Sequence, residues 1–438
     1  MFYLLASGTE SPYEVNPWMI LPFAALLLMI AIGPVLLGDW WHHHYPKVSV
    51  GLGLVTVCYY FYVLRQPERF GHVAHEYASF IALIGSLFVA AGGIHIRVKG
   101  ESRPATNVLF LAIGAVIANI IGTTGASMLL IRPWIRMNKY RITSFHIVIF
   151  IFIVSNVSGC LTPIGDPPLF LGYLKGVPFW WTLQHGWPAW VFAVGLLLAV
   201  FYVADRINIR KAPREVMEEQ TAHEKWRFDG RHNMIFIAII LAAVLYNKTL
   251  PFLVPEAIMA LAAAASFYFT PQPVHEANDF TFAPIKEVAW LFLGIFATMV
   301  PALDYLGTHA AALGIETPLQ FYYSTGFLSS FLDNAPTYLT FLSAQMGLHH
   351  MDMDNPLEVA EAVARFPLEI LAISLGAVFF GAMTYIGNGP NLMVKSIADH
   401  SNVRTPHFFA YIFRYALPIL LPILILVSIF FFSPWRFF

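Results

Sequence analysis

The sequence predicts an all-α polytopic membrane protein made of two inverted repeats, and three observations lead there. First, of 438 residues 58% are hydrophobic and only 12% charged, about half the charged fraction of ordinary soluble domains. Second, apolar stretches of about 18 or more residues, long enough to cross a hydrocarbon core, recur along the chain. Third, two of these stretches are interrupted alike. Thr162-Pro163-Ile164-Gly165-Asp166-Pro167-Pro168 is answered 222 residues later by Thr384-Tyr385-Ile386-Gly387-Asn388-Gly389-Pro390. Glycine and proline there free backbone amides and carbonyls that lipid cannot satisfy, so such a break survives only inside protein or beside a polar cavity. Matching breaks in two halves of one chain point to a transporter's binding region.

Taken in order, apolar segments run at about 18–37, 48–64, 74–96, 106–131, 143–174, 187–205, 232–247, 251–270, 286–306, 318–348, 366–394 and 407–432. Segment 106–131 is interrupted by Gly122-Thr123-Thr124-Gly125-Ala126-Ser127, and segment 318–348 by Asp333-Asn334-Ala335-Pro336-Thr337. Both are expected to be re-entrant hairpins, near 104–135 and 318–348. The first is flanked by Arg97, Lys99 and Arg103 on one side and by Arg132, Arg136, Lys139 and Arg141 on the other. Basic flanks on both sides place both ends in the cytoplasm, so the segment does not cross once. The second is preceded by a loop near 307–316 without lysine or arginine, and followed by Asp352, Asp354, Glu358 and Glu361. Both of its ends are expected outside.

Each half then reads as three spans, a hairpin, a broken helix (near 143–174 and 366–394) and a last span. Five crossings per half make about ten transmembrane helices and invert the second repeat, 232–438, relative to the first, 1–205. The basic linker 206–231, with Arg210, Lys211, Arg214, Lys225 and Arg227, is expected in the cytoplasm and both termini outside, in a plasma (inner) membrane. Residues 1–17 contain no lysine or arginine, which argues against a cleavable signal and for a retained first span.

The polar residues at the interruptions are the candidate ion-binding set. A carboxylate at a backbone break inside the membrane is costly and usually faces a cavity or a partner, which singles out Asp166 and Asp333. Such a group holds a proton or a metal cation in competition, and that competition is enough for coupled exchange. The alternative is that both cap freed helix N-termini. Neutral oxygens come from Asn334, Thr337, Asn388, Asn391, Thr123, Thr124, Thr162 and Thr384. Hard cations such as sodium take oxygen ligands, and carbonyls unwound at Gly165 and Gly387 complete a shell. Asp304 is read as interfacial, His146 as a satisfied buried histidine or a proton relay, and Lys395 as a snorkelling residue.

Other function classes fall away. Net charge is −1, which gives no nucleic-acid footprint. Two cysteines, Cys58 and Cys160, allow no disulfide framework or metal quartet. His75-Glu76-Tyr77-Ala78-Ser79 begins like a zinc-protease helix but has serine where the second histidine belongs. His42-His43-His44 and His349-His350-Met351-Asp352-Met353-Asp354 are read as polar loops. With no nucleophile or metal constellation, the chain is read as no enzyme, and no cofactor is expected.

The tip motifs Gly122–Ser127 and Asp333–Thr337, with the break motifs Thr162–Pro168 and Thr384–Asn391, resemble those of the ion transporter superfamily. That superfamily includes divalent anion/sodium symporters, arsenite permeases and NhaD-type sodium/proton antiporters. The stretch Gly122 to Lys175, with Leu129-Leu130-Ile131-Arg132-Pro133 and Pro167-Pro168-Leu169-Phe170-Leu171-Gly172, is most similar to the NhaD-type branch. The resemblance implies ten spans, two opposed hairpins, a homodimer in the bilayer and an elevator-like alternating access. Two departures bear on substrate. The sodium/carboxylate symporters carry Ser-Asn-Thr at both tips, where this chain has Gly122-Thr123-Thr124 and Asp333-Asn334-Ala335. They carry a neutral threonine where this chain has Asp166. Fixed negative charge favours a cation at short range. The expected function is therefore sodium(lithium)/proton antiport, with sodium and protons as the transported species. The alternative is an anion carrier for citrate, another dicarboxylate or arsenite, coupled to sodium or protons.

Overall fold

A computed structural model describes residues 14–99, 103–211, 226–247 and 249–433. Residues 1–13, and 212–225 of the linker with Arg214 and Lys225, lie outside the described residues. The described residues are 79% helical, and the strands among them are two of three residues each, so the all-α polytopic class holds. The strands are β1 (His95–Arg97) and β2 (Arg227–Asp229), paired antiparallel with Ile96 opposite Phe228. They tie the approach to the first hairpin to the far end of the linker, which periodicity did not anticipate.

In lipid each backbone amide must find its partner within its own segment, so apolar runs fold as helices. The first half comprises α1 (Leu21–Leu36), α2 (Asp39–Cys58), α3 (Glu68–Gly92), α4 (Pro104–Met137), α5 (Ser144–Ile153), α6 (Pro167–Lys175) and α7 (Trp181–Asn208). The second comprises α8 (Asn233–Leu245), α9 (Val254–Phe269), α10 (Gln272–Ala277), α11 (Ala283–His309), α12 (Pro318–Phe331), α13 (Asn334–Leu348), α14 (Pro356–Arg365), α15 (Pro367–Phe380), α16 (Gly389–His400) and α17 (Phe408–Phe431). Among the described residues eight helical stretches are long and apolar enough to cross a membrane, nine if the bent pair α14–α15 counts as one, against about ten expected. The count includes α4, which folds back on itself. It omits α8 and α9, whose 13 and 16 residues give about 20 and 24 Å of helix against a core of about 30 Å.

The helix is interrupted at both tip motifs. Gly122 interrupts α4 with φ +78°, a left-handed conformation that glycine adopts without a side-chain clash. The two arms return alongside each other: Asn107 donates to Asn138 at 2.8 Å near their base. In the second hairpin α12 and α13 are joined through Leu332, which is extended, and Asp333. Two readings change. His42–His44 lie on α2 rather than in a loop, with the His43 and His44 rings bonded to the Asp39 and Trp40 carbonyls one turn earlier. The acidic segment after the second hairpin contains α14, which buries Val359, Ala362 and Val363 on one face and meets α15 at 101°. That i, i+3, i+4 stripe is what a helix needs to lie across the ends of others.

Candidate functional site

Both breaks are real. Between α5 and α6 the chain leaves the helix at Val154, makes one tight turn at Val157–Leu161 and re-enters at Pro167. Between α15 and α16 it makes a tight turn at Gly381–Met383 and re-enters at Gly389. Each break is held by its threonine in the same way. The Thr162 hydroxyl donates to the Asn119 carbonyl at 2.6 Å and accepts from the Gly165 amide at 3.1 Å. The Thr384 hydroxyl donates to the Ser330 carbonyl at 2.6 Å and accepts from the Gly387 amide at 3.2 Å. Asn119 and Ser330 each stand three residues before a hairpin tip, so each hairpin is pinned to the break of its own half. Gly165 and Gly387 are required by close approach. A Cβ on Gly387 would lie 2.6 Å from the Ser329 carbonyl, and one on Gly165 would overlap the Gly159 carbonyl.

Asp166 is the point where four chain segments meet. It occupies the N-cap position of α6, yet its side chain makes no cap bond. It accepts instead from the Thr123 hydroxyl at 2.6 Å, from Asn388 Nδ2 at 3.2 Å and from Asn334 Nδ2. Thr123 is the first hairpin tip, Asn334 the second, and Asn388 the second break. All four side chains are buried, Asp166 being 1% exposed. The Thr123 amide also donates to the Gly165 carbonyl at 2.8 Å, which fixes the first tip on the first break. The three donors are neutral, and Asn334 Oδ1 is buried without a hydrogen-bond partner. A carboxylate beside a partnerless amide oxygen is a donor set suited to a hard cation or a proton.

The other expected residues divide. Asn391 is buried in the first turn of α16, donating back into the second break, to the Gly381 and Thr384 carbonyls, at 2.8 and 3.0 Å. Asp333 sits on the tip beside Asn334 but caps its own helix, accepting from the Ala335 amide at 3.0 Å. Thr337 donates back to the Asp333 carbonyl at 2.9 Å. Thr124 is half-buried and lines a cavity of about 30 Å³ enclosed by the tip at 121–125, the break at 163–167 and Leu83, Leu87 and Phe88 of α3. That volume holds a water-sized species. Asp166 is the charged residue among those lining it.

Residues outside the site find other partners. Asp304 pairs with Arg69 at 2.6 Å and accepts from Tyr60. Lys395 pairs with Asp399 one turn along α16 at 2.5 Å. His146 is a satisfied buried histidine: it lies 3.1 Å from Asp205, which also accepts from Arg141 Nη2 at 3.0 Å and Asn107 at 2.9 Å. The sequence reading missed Asn119, Asn156 and Ser330. For Asn119 and Ser330 a signal was present, a polar residue three places before each tip.

The sequence model of a family described as putative citrate transport (CitMHS_2) matches residues 12–432. None of the curated proteins compared with the chain matches it.

Proposed function

The chain belongs to the putative citrate transport family, and from that membership we propose that it is a secondary carrier for citrate or a related carboxylate anion, coupled to sodium or protons. The observation that carries this reading is Asp166, buried at the junction of both hairpin tips and both breaks with only neutral donors around it. In the sequence the same charge argued against an anion. Two unit charges about 4 Å apart repel by roughly 4 kcal/mol at an effective dielectric of about 20, and a multivalent carboxylate repels more. A cation or proton on Asp166 removes that repulsion. The anion then binds well only to the cation-loaded protein, which is the linkage a symporter needs.

Mechanistically, Asp166 takes the coupling cation. Asn334 offers its partnerless oxygen, and Thr123 and Asn388 hold the carboxylate in place. A cavity of about 30 Å³ does not admit citrate, so the anion enters in a conformation in which the first tip or α3 has moved. Alternating access by an elevator-like motion of the hairpin-bearing elements, in a homodimer, is the form we assign to that movement. The matched Thr162–Asn119 and Thr384–Ser330 bonds favour two inverted repeats, 1–205 and 232–438, joined by 206–231. We place the linker in the cytoplasm, both termini outside and the protein in the plasma membrane.

A second reading, sodium(lithium)/proton antiport of the NhaD type, is favoured by the same cavity. It suits a single small cation, and no lysine or arginine lines it. Proteoliposomes decide between the two. The carrier reading expects labelled citrate to accumulate when a sodium or proton gradient is imposed. Citrate-independent collapse of a proton gradient by sodium or lithium, with no citrate uptake, would establish antiport instead.

A further inference from the structure

Two motifs that the sequence set aside, His75–Ser79 and His349–Asp354, each send an acid to the same cation. Lys175, the last residue of α6, is buried, and its Nζ lies 2.7 Å from Glu76 on α3 and 2.7 Å from Asp354 in the turn after the second hairpin. The other oxygen of Asp354 meets Arg69, near the start of α3, and Arg69 holds Asp304 of α11 at 2.6 Å. The Asp354 amide donates to Asp352 Oδ1 at 2.9 Å, which fixes the turn that presents this carboxylate. These charges sit on two sets of elements. Gly172 of α6 is packed against Tyr338 of α13, the helix that leads to Asp354. Phe80 of α3 stacks on Phe292 of α11 with ring centroids 4.5 Å apart. The ion pairs that cross between the sets are Lys175–Glu76 and Arg69–Asp354. Within each set a cation and an acid stay together, Lys175 with Asp354 and Arg69 with Asp304.

The same two helices wall the cavity beside Asp166. α3 contributes Leu83, Leu87 and Phe88, and α6 contributes Pro167 and Phe170. Glu76 stands about 10 Å along α3 from Leu83, and Lys175 about 12 Å along α6 from Pro167. We propose that this network is a latch on the cavity: the two crossing ion pairs hold α3 and α11 against α6 and the turn at Asp354, and they part when the cavity opens. The proposal rests on the reading above, that the cavity is the transport site and that α3 or the first tip moves. Parting strands neither cation. Each leaves with the acid of its own set, so the costly state of a buried charge without a partner does not arise. Glu76, the acid left over, is half-buried and gains water as α6 withdraws. Two neutral bonds run beside the latch, from Tyr173 to the Val244 carbonyl at 3.0 Å and from Ser343 to the Leu303 carbonyl at 2.8 Å. Bonds between neutral groups are about half as strong as those between ions.

The test is thiol labelling of the purified full chain with N-ethylmaleimide. Cys58, which is exposed, is replaced by serine, and Ile121→Cys puts a thiol in the cavity wall at a buried position. Cys160, completely buried in the first break, reports unfolding. Glu76→Gln removes one crossing ion pair and leaves Lys175 with Asp354. It should speed labelling at position 121 about tenfold or more, as loss of a bond between charged groups implies, while Cys160 stays protected. Asp304→Asn takes away the acid that Arg69 keeps on opening, so it should slow labelling by about threefold or more. Damage to a merely structural network would speed labelling in both variants, and either variant decides if the other does not fold. Ser343→Ala removes one neutral bond and should speed labelling less than Glu76→Gln. An unchanged rate in Glu76→Gln, an equal rise in Ser343→Ala, faster labelling in Asp304→Asn, or Cys160 labelled as fast as position 121 overturns the latch. A chain that takes up no citrate fails the carrier reading alone, since labelling is read without substrate.

Discussion

Asp166 and Asp205 are equally buried, each 1% exposed, and their surroundings are opposite. Asp205 on α7 is met by the Arg141 guanidinium, His146 and Asn107, which bind α4, α5 and α7 together. Its charge is answered by a fixed cation. Asp166 is met by a hydroxyl and two amides, which solvate a charge without cancelling it. On the reading proposed above, the difference separates a structural carboxylate from one that exchanges a mobile cation. A buried charge with a fixed partner gains nothing from a second cation, whereas one held only by neutral dipoles remains a site for one.

The comparison breaks first, if it breaks, on stability. Asp205→Asn leaves the Arg141 charge buried without its partner and should cost about 3–5 kcal/mol, read as a loss of thermal stability in detergent. Asp166→Asn removes an uncompensated charge and should change stability by less than about 1 kcal/mol. The reverse order would exchange the two roles. Next comes Asn334→Ala, which removes a bond to a charged group worth about 1.5–3 kcal/mol. The half-saturating concentration of the coupling ion should rise roughly tenfold or more, while Asn107→Ala, on the Asp205 side, should leave it unchanged. Gly165→Ala forces a Cβ against the Gly159 carbonyl and should cost about 1–3 kcal/mol. Its effect should be visible in both unfolding and uptake, because the first tip is pinned through Gly165. The smallest effect is expected at Thr124, half-buried beside the cavity. Thr124→Ala should stay within about 0.5 kcal/mol in stability and leave uptake near wild type.

Much of this architecture was legible because its signals are local. Gly122 in an apolar run and the threonine and glycine of each break are each read within a few residues. Partnership was not legible. Asp166 and Asp333 read alike, as carboxylates at interruptions, yet Asp333 caps its own helix while Asp166 spends no oxygen on capping. Which of them is free depends on Asn334 and Asn388, 168 and 222 residues from Asp166. Asn156 and Asp205 look like isolated polar residues in apolar helices until the fold brings Asn391 and Arg141 to them. Short amphipathic α14 was hidden by the acidic residues on its outer face, and the β1–β2 pair by its three-residue length.

Labelled citrate uptake into proteoliposomes, driven by an imposed sodium or proton gradient and compared between wild type and Asp166→Asn, tests most directly whether Asp166 carries the coupling ion. Gradient-driven accumulation by the wild type, falling about 100-fold or more in the variant, is the expected result, since loss of one partner of a buried ion pair costs about 3–5 kcal/mol. Undiminished accumulation by a folded Asp166→Asn protein would contradict the account.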